Sequence, residues 1–545
     1  MKRAILFTIC NLLLLSTGLL KSQTFLNTSI LPYQTNASPV FGKDIVIHDM
    51  PDRDQRNIAI CSAFNGWLYG VHSYLDGDLN YISFIRSVDE GLTWEIINEG
   101  SSFGGYLTLR YDIIVCGNNL TDMRIFLSQV AMDTISYEKF GVLFNGRYFA
   151  EPFAPDTYLF GDAVGWYKDV AMAYDKNFPA TNSNPFSIAI LYSKTGIKDS
   201  LIFHYSENGG QSFDNRRVVT VSNHKIEKVA LAFGRSASYP EGRYFAAWEE
   251  KDTPNATTGH IYTAHTEPYF NSPFTTPVCL DSLDSYYINR GRNPVIACQM
   301  SNNDNNYGNL TEVVLFERYV PSLAKYDIAG FYNTQATTSN QFQKFSISSS
   351  QDNKLQPDIN FNSYKSEFMV TYFDSTTRKL PFLTHDINMT NPDSWTVVSS
   401  CYNDSTNIIK PWPKVELSQS KQDGFNVWTQ ERSTGNGMSM FDATYSTYTG
   451  LEGKINENSE ISIRAFPNPC DNKITMFFNL KKAEKISIRL FNTAGLCIGT
   501  VTDNFFSEGK HFINYDTSKL PQSTYYFILS TDKYSLKPGK ITIIR

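Results

Sequence analysis

The sequence predicts an all-β protein: a large domain of repeated short strands, followed by a small β-sandwich. Three observations predict it. Between about residues 40 and 450 no stretch keeps a helical period, and short apolar runs bounded by Asn, Gly, Pro and Ser recur instead. Aromatic residues make up 14% of the chain and charged residues only 19%, a balance that suits pleated, half-buried surfaces. One run also recurs seven times at a nearly constant interval, the mark of a repeat architecture.

The repeats can be followed in order. The first run of each unit is a polar or turn-type residue followed by a β-branched one. It appears as Asn57-Ile58, Asp112-Ile113, Asp169-Val170, Lys228-Val229, Pro294-Val295, Asp358-Ile359 and Lys414-Val415, spaced by roughly 55 to 66 residues. A second run follows, clearest as Tyr244 to Glu249, Glu312 to Glu317, Glu367 to Tyr372 and Gly424 to Trp428. A third comes next, as in Tyr81 to Ile85, Ser200 to His204, His260 to Ala264, Tyr326 to Gly330 and Met438 to Phe441. Seven units of three or four strands are what a β-propeller requires. Six or eight blades, or a pair of sandwiches, are the alternatives. The polar stretch 451–460 reads as a linker, and the alternating strands of 461–545 as a small immunoglobulin-like sandwich.

Two local motifs sharpen the expectation. Ser87-Val88-Asp89-Glu90-Gly91-Leu92-Thr93-Trp94 follows one third run, and Ser206-Glu207-Asn208-Gly209-Gly210-Gln211-Ser212-Phe213 follows another. An Asp or Asn side chain can bond nearby backbone N–H groups, Gly permits a positive φ, and the aromatic ring packs beneath the turn. The first resembles the Asp-box of sialidase-type (BNR-repeat) propellers at every defined position, and the second is a conservative variant. The other five units show no recognisable box. The resemblance implies that Ser87, Asp89, Gly91, Thr93, Trp94, Ser206, Asn208, Gly210, Ser212 and Phe213 are fold markers, between the third and fourth strands and away from any ligand pocket.

The tail carries Phe466-Pro467-Asn468-Pro469, then Phe491-Asn492-Thr493-Ala494-Gly495, then Leu520-Pro521, and closes on Lys537 to Arg545. This series resembles the type A C-terminal sorting domain of the type IX secretion system of Bacteroidetes. It departs from the family only after Leu520-Pro521, where Gln522-Ser523-Thr524 stand in place of a Gly. The resemblance implies export across the outer membrane, with the secretion machinery as partner. The chain begins in agreement. Lys2 and Arg3 precede an apolar run from Ala4 to Leu20, which fits a secretory signal peptide over residues 1–22 that delivers the chain to the periplasm. The run is too short for a stable membrane span, and no later run is long enough. The expected location is secreted or on the outer cell surface.

Net charge is −6, which offers no basic excess for nucleic acid. Without Cys10 of the leader, seven Cys remain, so at least one thiol is unpaired, and their spacing matches no zinc pattern. The eight His residues show no metal spacing either. Asp76-Gly77-Asp78-Leu79-Asn80 resembles the start of a calcium loop, but Ser87 at the twelfth position cannot supply the bidentate carboxylate. No phosphate loop or nucleophile elbow occurs. Neither a cofactor nor a catalytic residue is expected.

The candidate site is the end of the propeller where each unit's first strand begins. Its expected residues are Arg56, Arg110, Asp112, Asp169, Lys228, Arg292, Asp358 and Lys414. This mixed-charge mouth points to a glycan or surface-protein ligand. A sialidase-type glycoside hydrolase is the alternative, because Arg56, Arg110 and Arg292 could clamp a substrate carboxylate. The sialidase resemblance, however, calls for Arg-Ile-Pro near the first blade, whereas Arg292-Asn293-Pro294 lies in the fifth unit. No Tyr–Glu nucleophile pair can be assigned from spacing.

Overall fold

The structure, a computed structural model, describes residues 45–544 except 48–53, 64–66, 77–78, 88–93, 103–105, 117–123, 134–138, 148–155, 160–165, 176–186, 208, 211, 285–287, 301–309, 337–339, 348–351, 402–411, 419–422, 433–434, 443–461, 492–496 and 532–538. The expected leader (1–22), the expected linker (451–460), and the box residues Asp89, Gly91, Thr93 and Asn208 lie outside the described residues. The chain divides into two compact units, Met1–Ser446 and Thr447–Arg545.

Among the described residues, the first unit holds seven four-stranded antiparallel sheets. Six are meanders that start with Asp54–Ser62, Tyr106–Cys116, Trp166–Tyr174, Lys225–Ser236, Gly291–Cys298 and Lys354–Asn362. The seventh starts with Lys414–Ser418 and borrows its fourth strand, Ile45–Ile47, from the other end of the unit. All seven recurring sequence runs fall in these first strands. The first strands touch one another in chain order, and the seventh touches the first, so the circuit closes.

Apolar side chains fill the seams between sheets. Ile114 and Phe126 of the second sheet pack with Val170 and Tyr192 of the third. Phe245 and Ile261 of the fourth pack with Val314 and Phe331 of the fifth. Ile47 and Val427 of the seventh pack with Ile60 and Ile85 of the first. A sheet buried on both faces needs apolar residues at successive positions, not alternate ones. The second strand Ile188–Thr195 shows this, with six consecutive buried residues.

The second unit has a three-stranded and a four-stranded antiparallel sheet around one apolar core. Here the burial alternates, as in Lys473–Leu480, where Ile474, Met476, Phe478 and Leu480 are buried. The Pro-Asn-Pro element has a visible job. Asn468 Nδ2 donates to the Lys540 carbonyl (2.9 Å), and its Oδ1 accepts from the Thr542 N–H (2.8 Å), pinning the last strand.

One buried acid makes the fold sensitive to pH. Glu312 opens the second strand of the fifth sheet and is 1% exposed. Its Oε1 lies 2.5 Å from Thr263 Oγ1 of the fourth sheet, and Thr263 also donates to the Ala246 carbonyl. A hydroxyl has one proton, so a protonated Glu312 donating to Thr263 satisfies all three groups. Burial accordingly pushes the carboxyl up to about 7. The folded chain then holds a proton that the unfolded chain has released. The resulting stabilisation is full below the unfolded value near 4.5 and is lost as pH rises through about 7. Glu312→Gln should remove this slope. Relative to wild type, the variant should gain on the order of 3 kcal/mol between pH 4.5 and 8 in denaturant titrations. Parallel curves for the two proteins would show that Glu312 is ionised in the fold.

Candidate functional site

The first strand of each sheet is an edge, so half of its N–H groups have no strand partner. In six sheets this strand also carries a β-bulge near its start. The breaks fall at Arg56/Ala59, Thr108/Arg110, Tyr167/Val170, Ile226/Lys228, Arg292/Val295 and Leu355/Asp358. A bulge takes further backbone groups off the ladder. Carboxylates of the preceding sheet meet them. Asp112 Oδ2 accepts from Met172 N–H (2.6 Å), Asp169 Oδ2 from Val229 N–H (3.0 Å) and Asp358 Oδ2 from Val415 N–H (2.8 Å). Glu249 Oε2 accepts from Asn293 N–H (3.1 Å), and Glu317 Oε1 from Gln356 N–H (2.8 Å).

These bonds show how the expected mouth residues are used. Asp112, Asp169 and Asp358 each hold the neighbouring sheet by its backbone. Lys414 pairs with Asp358 across the same seam (3.0 Å). Lys228 stands opposite Glu249 in the ladder. Arg292 donates from Nε to Glu317 Oε2 (2.6 Å), and its guanidinium lies 3.6 Å over the Tyr326 ring. The side chains of Arg56 and Arg110 lie outside the described residues.

The fifth to seventh sheets share one network that the repeat pattern alone did not single out. Glu317, 1% exposed, accepts from Arg292, from Asn293 Nδ2 (2.8 Å) and from the Gln356 N–H. Gln356 Oε1 in turn accepts from the Trp412 N–H (2.9 Å). Asn293, Gln356 and Trp412 each precede a proline and each has positive φ, at 51°, 55° and 44°. Left-handed backbone at a residue other than glycine is strained and persists only where neighbours hold it. Here an acceptor from the preceding sheet holds each N–H. Trp412 is 41% exposed, so the last member presents a large aromatic ring to solvent two residues before Lys414.

Electrostatics follow from burial. Desolvation raises the Glu249 carboxyl, against the opposing pull of Lys251, the Asn293 N–H and Lys228. Desolvation also raises the Tyr326 phenol, and Arg292 works the other way. The sequence did carry a signal for this network: an X-Pro pair opens the first runs of units five to seven, and a Glu closes the second runs at Glu249 and Glu317.

At the other ends of the sheets, the aromatic residues that open the fourth strands seal seams. Trp94 packs among Ile47 and Val427 of the seventh sheet. Phe213 meets Phe126 of the second sheet edge-on at 6.2 Å. Within that turn Ser206 Oγ accepts from Gly210 N–H (2.8 Å), while Ser87 is buried and Ser212 half-buried. Gly210 has φ +79°, and a Cβ there would fall 2.1 Å from the Phe126 ring. His204 fits as a neutral ring, with Nδ1 donating to the Phe213 carbonyl (3.2 Å) and Nε2 accepting from the Tyr192 hydroxyl (3.1 Å). Burial lowers its pKa in agreement. In the sixth sheet, Trp395 takes the same position without a recognisable box and stacks on Phe345 of the fifth.

Glu317→Ala should destabilise the first unit by about 3 kcal/mol, since it strands Arg292 and two N–H donors. Glu317→Gln, which keeps an acceptor for Gln356, should cost roughly half as much. Denaturation midpoints of the two variants check this. A Glu317→Ala midpoint equal to wild type would remove Glu317 from its central place.

No curated protein matches the chain. Among solved structures, a protein of unknown function from Dyadobacter fermentans is 11% identical, with 74% of this chain and 100% of that one covered and a TM-score of 0.38. An α-L-arabinofuranosidase from Fusarium graminearum is 11% identical, with coverages of 74% and 97% and a TM-score of 0.37. A Hadza microbial sialidase is 10% identical, with coverages of 62% and 66% and a TM-score of 0.37. Residues 464–544 match the family described as the secretion system C-terminal sorting domain. No helix among the described residues is long and apolar enough to cross a membrane. The tail at 464–544 is thus a C-terminal sorting domain of the type IX secretion system, and it directs the protein to the cell surface or the medium.

Proposed function

We propose that the first unit is a seven-bladed β-propeller, spanning about residues 40–450, whose mouth binds a glycan. In this reading 451–460 is the linker and 461–545 an immunoglobulin-like sandwich used for export. One observation carries the binding assignment. Trp412 is exposed at the mouth in a left-handed conformation, held there by a network that runs from Arg292 through Glu317 and Gln356. An exposed indole face offers a sugar ring a flat apolar platform.

The glycosidase alternative has less support. Arg292 is paired with Glu317 and lies over Tyr326, so its fork is not turned to a substrate carboxylate. Catalysis by that route needs a clamp, a nucleophile and an acid together. Each of Asp112, Asp169 and Asp358 gives a carboxylate oxygen to a neighbouring N–H.

A glycan array probed with the purified chain, run beside a fluorogenic sialoside assay, tests both readings. Binding should weaken by about tenfold or more in Trp412→Ala, or about 1.4 kcal/mol, with an unchanged melting point. No fluorophore should be released above a blank. Turnover that disappears in Arg292→Ala would promote the enzyme. An array silent for wild type, with a protein captured through Trp412, would make the ligand a protein.

A further inference from the structure

A second polar cluster sits on the fourth sheet, farther along the chain than its first strand. The third strand, His260–His265, begins with His260 and pairs with the two-residue strand Val278–Cys279, Tyr262 standing opposite Cys279. A single 3-10 turn, Asp281–Leu283, follows at once. This register brings the donor atoms of three residues within 4.8 Å of one another. His260 Nδ1 is 3.0 Å from Asp281 Oδ2, Cys279 Sγ is 3.2 Å from Asp281 Oδ1, and Cys279 Sγ is 4.0 Å from His260 Nδ1. Around a tetrahedral zinc ion with ligand bonds of about 2.0–2.3 Å, neighbouring ligand atoms lie about 3.3–3.7 Å apart. His260 and Cys279 approach different oxygens of Asp281 and stand 4.0 Å from each other, so side-chain shifts that bring one carboxylate oxygen, the imidazole and the sulfur to that spacing would admit an ion.

The surroundings supply parts that a metal site uses. Asp281 is fully buried, and its two oxygens accept from the Ile261 N–H (3.0 Å) and the Asn289 N–H (2.7 Å). Both bonds come from the backbone and fix the carboxylate, and each oxygen keeps a second lone pair. The far nitrogen of His260, Nε2, lies 3.9 Å from Asp252 Oδ1, an ion-pair separation that a small shift would close to a hydrogen bond, and Asp252 Oδ2 accepts from Asn289 Nδ2 (3.0 Å). A carboxylate behind the remote nitrogen of an imidazole is the usual support for a metal-bound His, because it fixes ring orientation and raises basicity. Cys279 forms no disulfide, and both it and His260 are part-exposed, so an ion has a route in.

We infer that His260, Cys279 and Asp281 form a three-ligand site for a divalent transition-metal ion, with Asp252 as the group that orients His260. The mixed N, S and O donor set suits zinc and disfavours calcium or magnesium, which take oxygen ligands. Cys279 would bind as thiolate, its proton passing to solvent. Three protein ligands leave a fourth position for water or an exogenous donor. This site does not depend on the glycan-binding reading, because none of its residues belongs to the Glu317 network.

The test is titration of the full chain, stripped with chelator, with cobalt(II) and then zinc(II). The expected result is one equivalent of cobalt bound, with a thiolate-to-cobalt charge-transfer band in the near ultraviolet that zinc removes. Cys279→Ser should abolish the band. Asp252→Asn should keep the band and weaken binding about 10- to 100-fold. A folded wild-type chain with no such band, or a band that survives in Cys279→Ser, would overturn the site and leave the cluster as hydrogen bonds alone.

Discussion

The structure of the first unit depends on one interaction, a buried or half-buried carboxylate of one sheet that accepts a hydrogen bond from the edge strand of the next. A ring of separate sheets exposes the inner edge of each, and unpaired edge N–H groups are costly to bury and prone to wrong pairing. Asp112, Asp169, Glu249, Glu317 and Asp358 meet this need at five successive seams from the second sheet to the seventh. Apolar packing fills the seams but has no direction. The carboxylate bonds are directional, so at these five seams they set where the first strand begins relative to its neighbour.

Under the proposed reading, that arrangement also shapes what the mouth offers a ligand. Carboxylates that hold backbone are less available to catalyse, and the cations nearest them are drawn into pairs, as Lys414 is with Asp358 and Arg292 with Glu317. What remains for recognition is the surface that the network presents. The X-Pro pairs in the fifth to seventh sheets give that surface its shape. Proline fixes its own φ and has no N–H. The residue before it is held left-handed by an acceptor from the sheet behind, and at the third such pair that residue is an exposed Trp.

Much of the fold was legible in the sequence. The first-strand runs at Ile58, Ile113, Val170, Val229, Val295, Ile359 and Val415 all lie in first strands, because each marks a strand start with a polar or turn-type residue before a buried or half-buried β-branched one. The fourth strands were harder to read, and the borrowed Ile45–Ile47 most of all, since three residues carry little periodicity. Trp395 shows the same limit, because packing against Phe345 preserves its position where the box letters are lost. At the mouth, charge and position marked Asp169 and Asp358, but sequence could not tell a carboxylate that faces solvent from one aimed at a neighbouring backbone. That difference arises in the tertiary fold. Glu317 and Trp412 were hidden for the same reason, because their roles exist only once three sheets meet.

The central claim is that carboxylates lock the edge N–H groups of neighbouring sheets. Native-state hydrogen exchange of the full chain tests it most directly, read at the amides of Met172, Val229, Asn293, Gln356 and Val415. If the account holds, these edge amides exchange only with opening of the whole first unit, as slowly as amides within the central strands. Exchange at these five positions as fast as in surface turns would contradict it, and would leave apolar seam packing as the sole support of the ring.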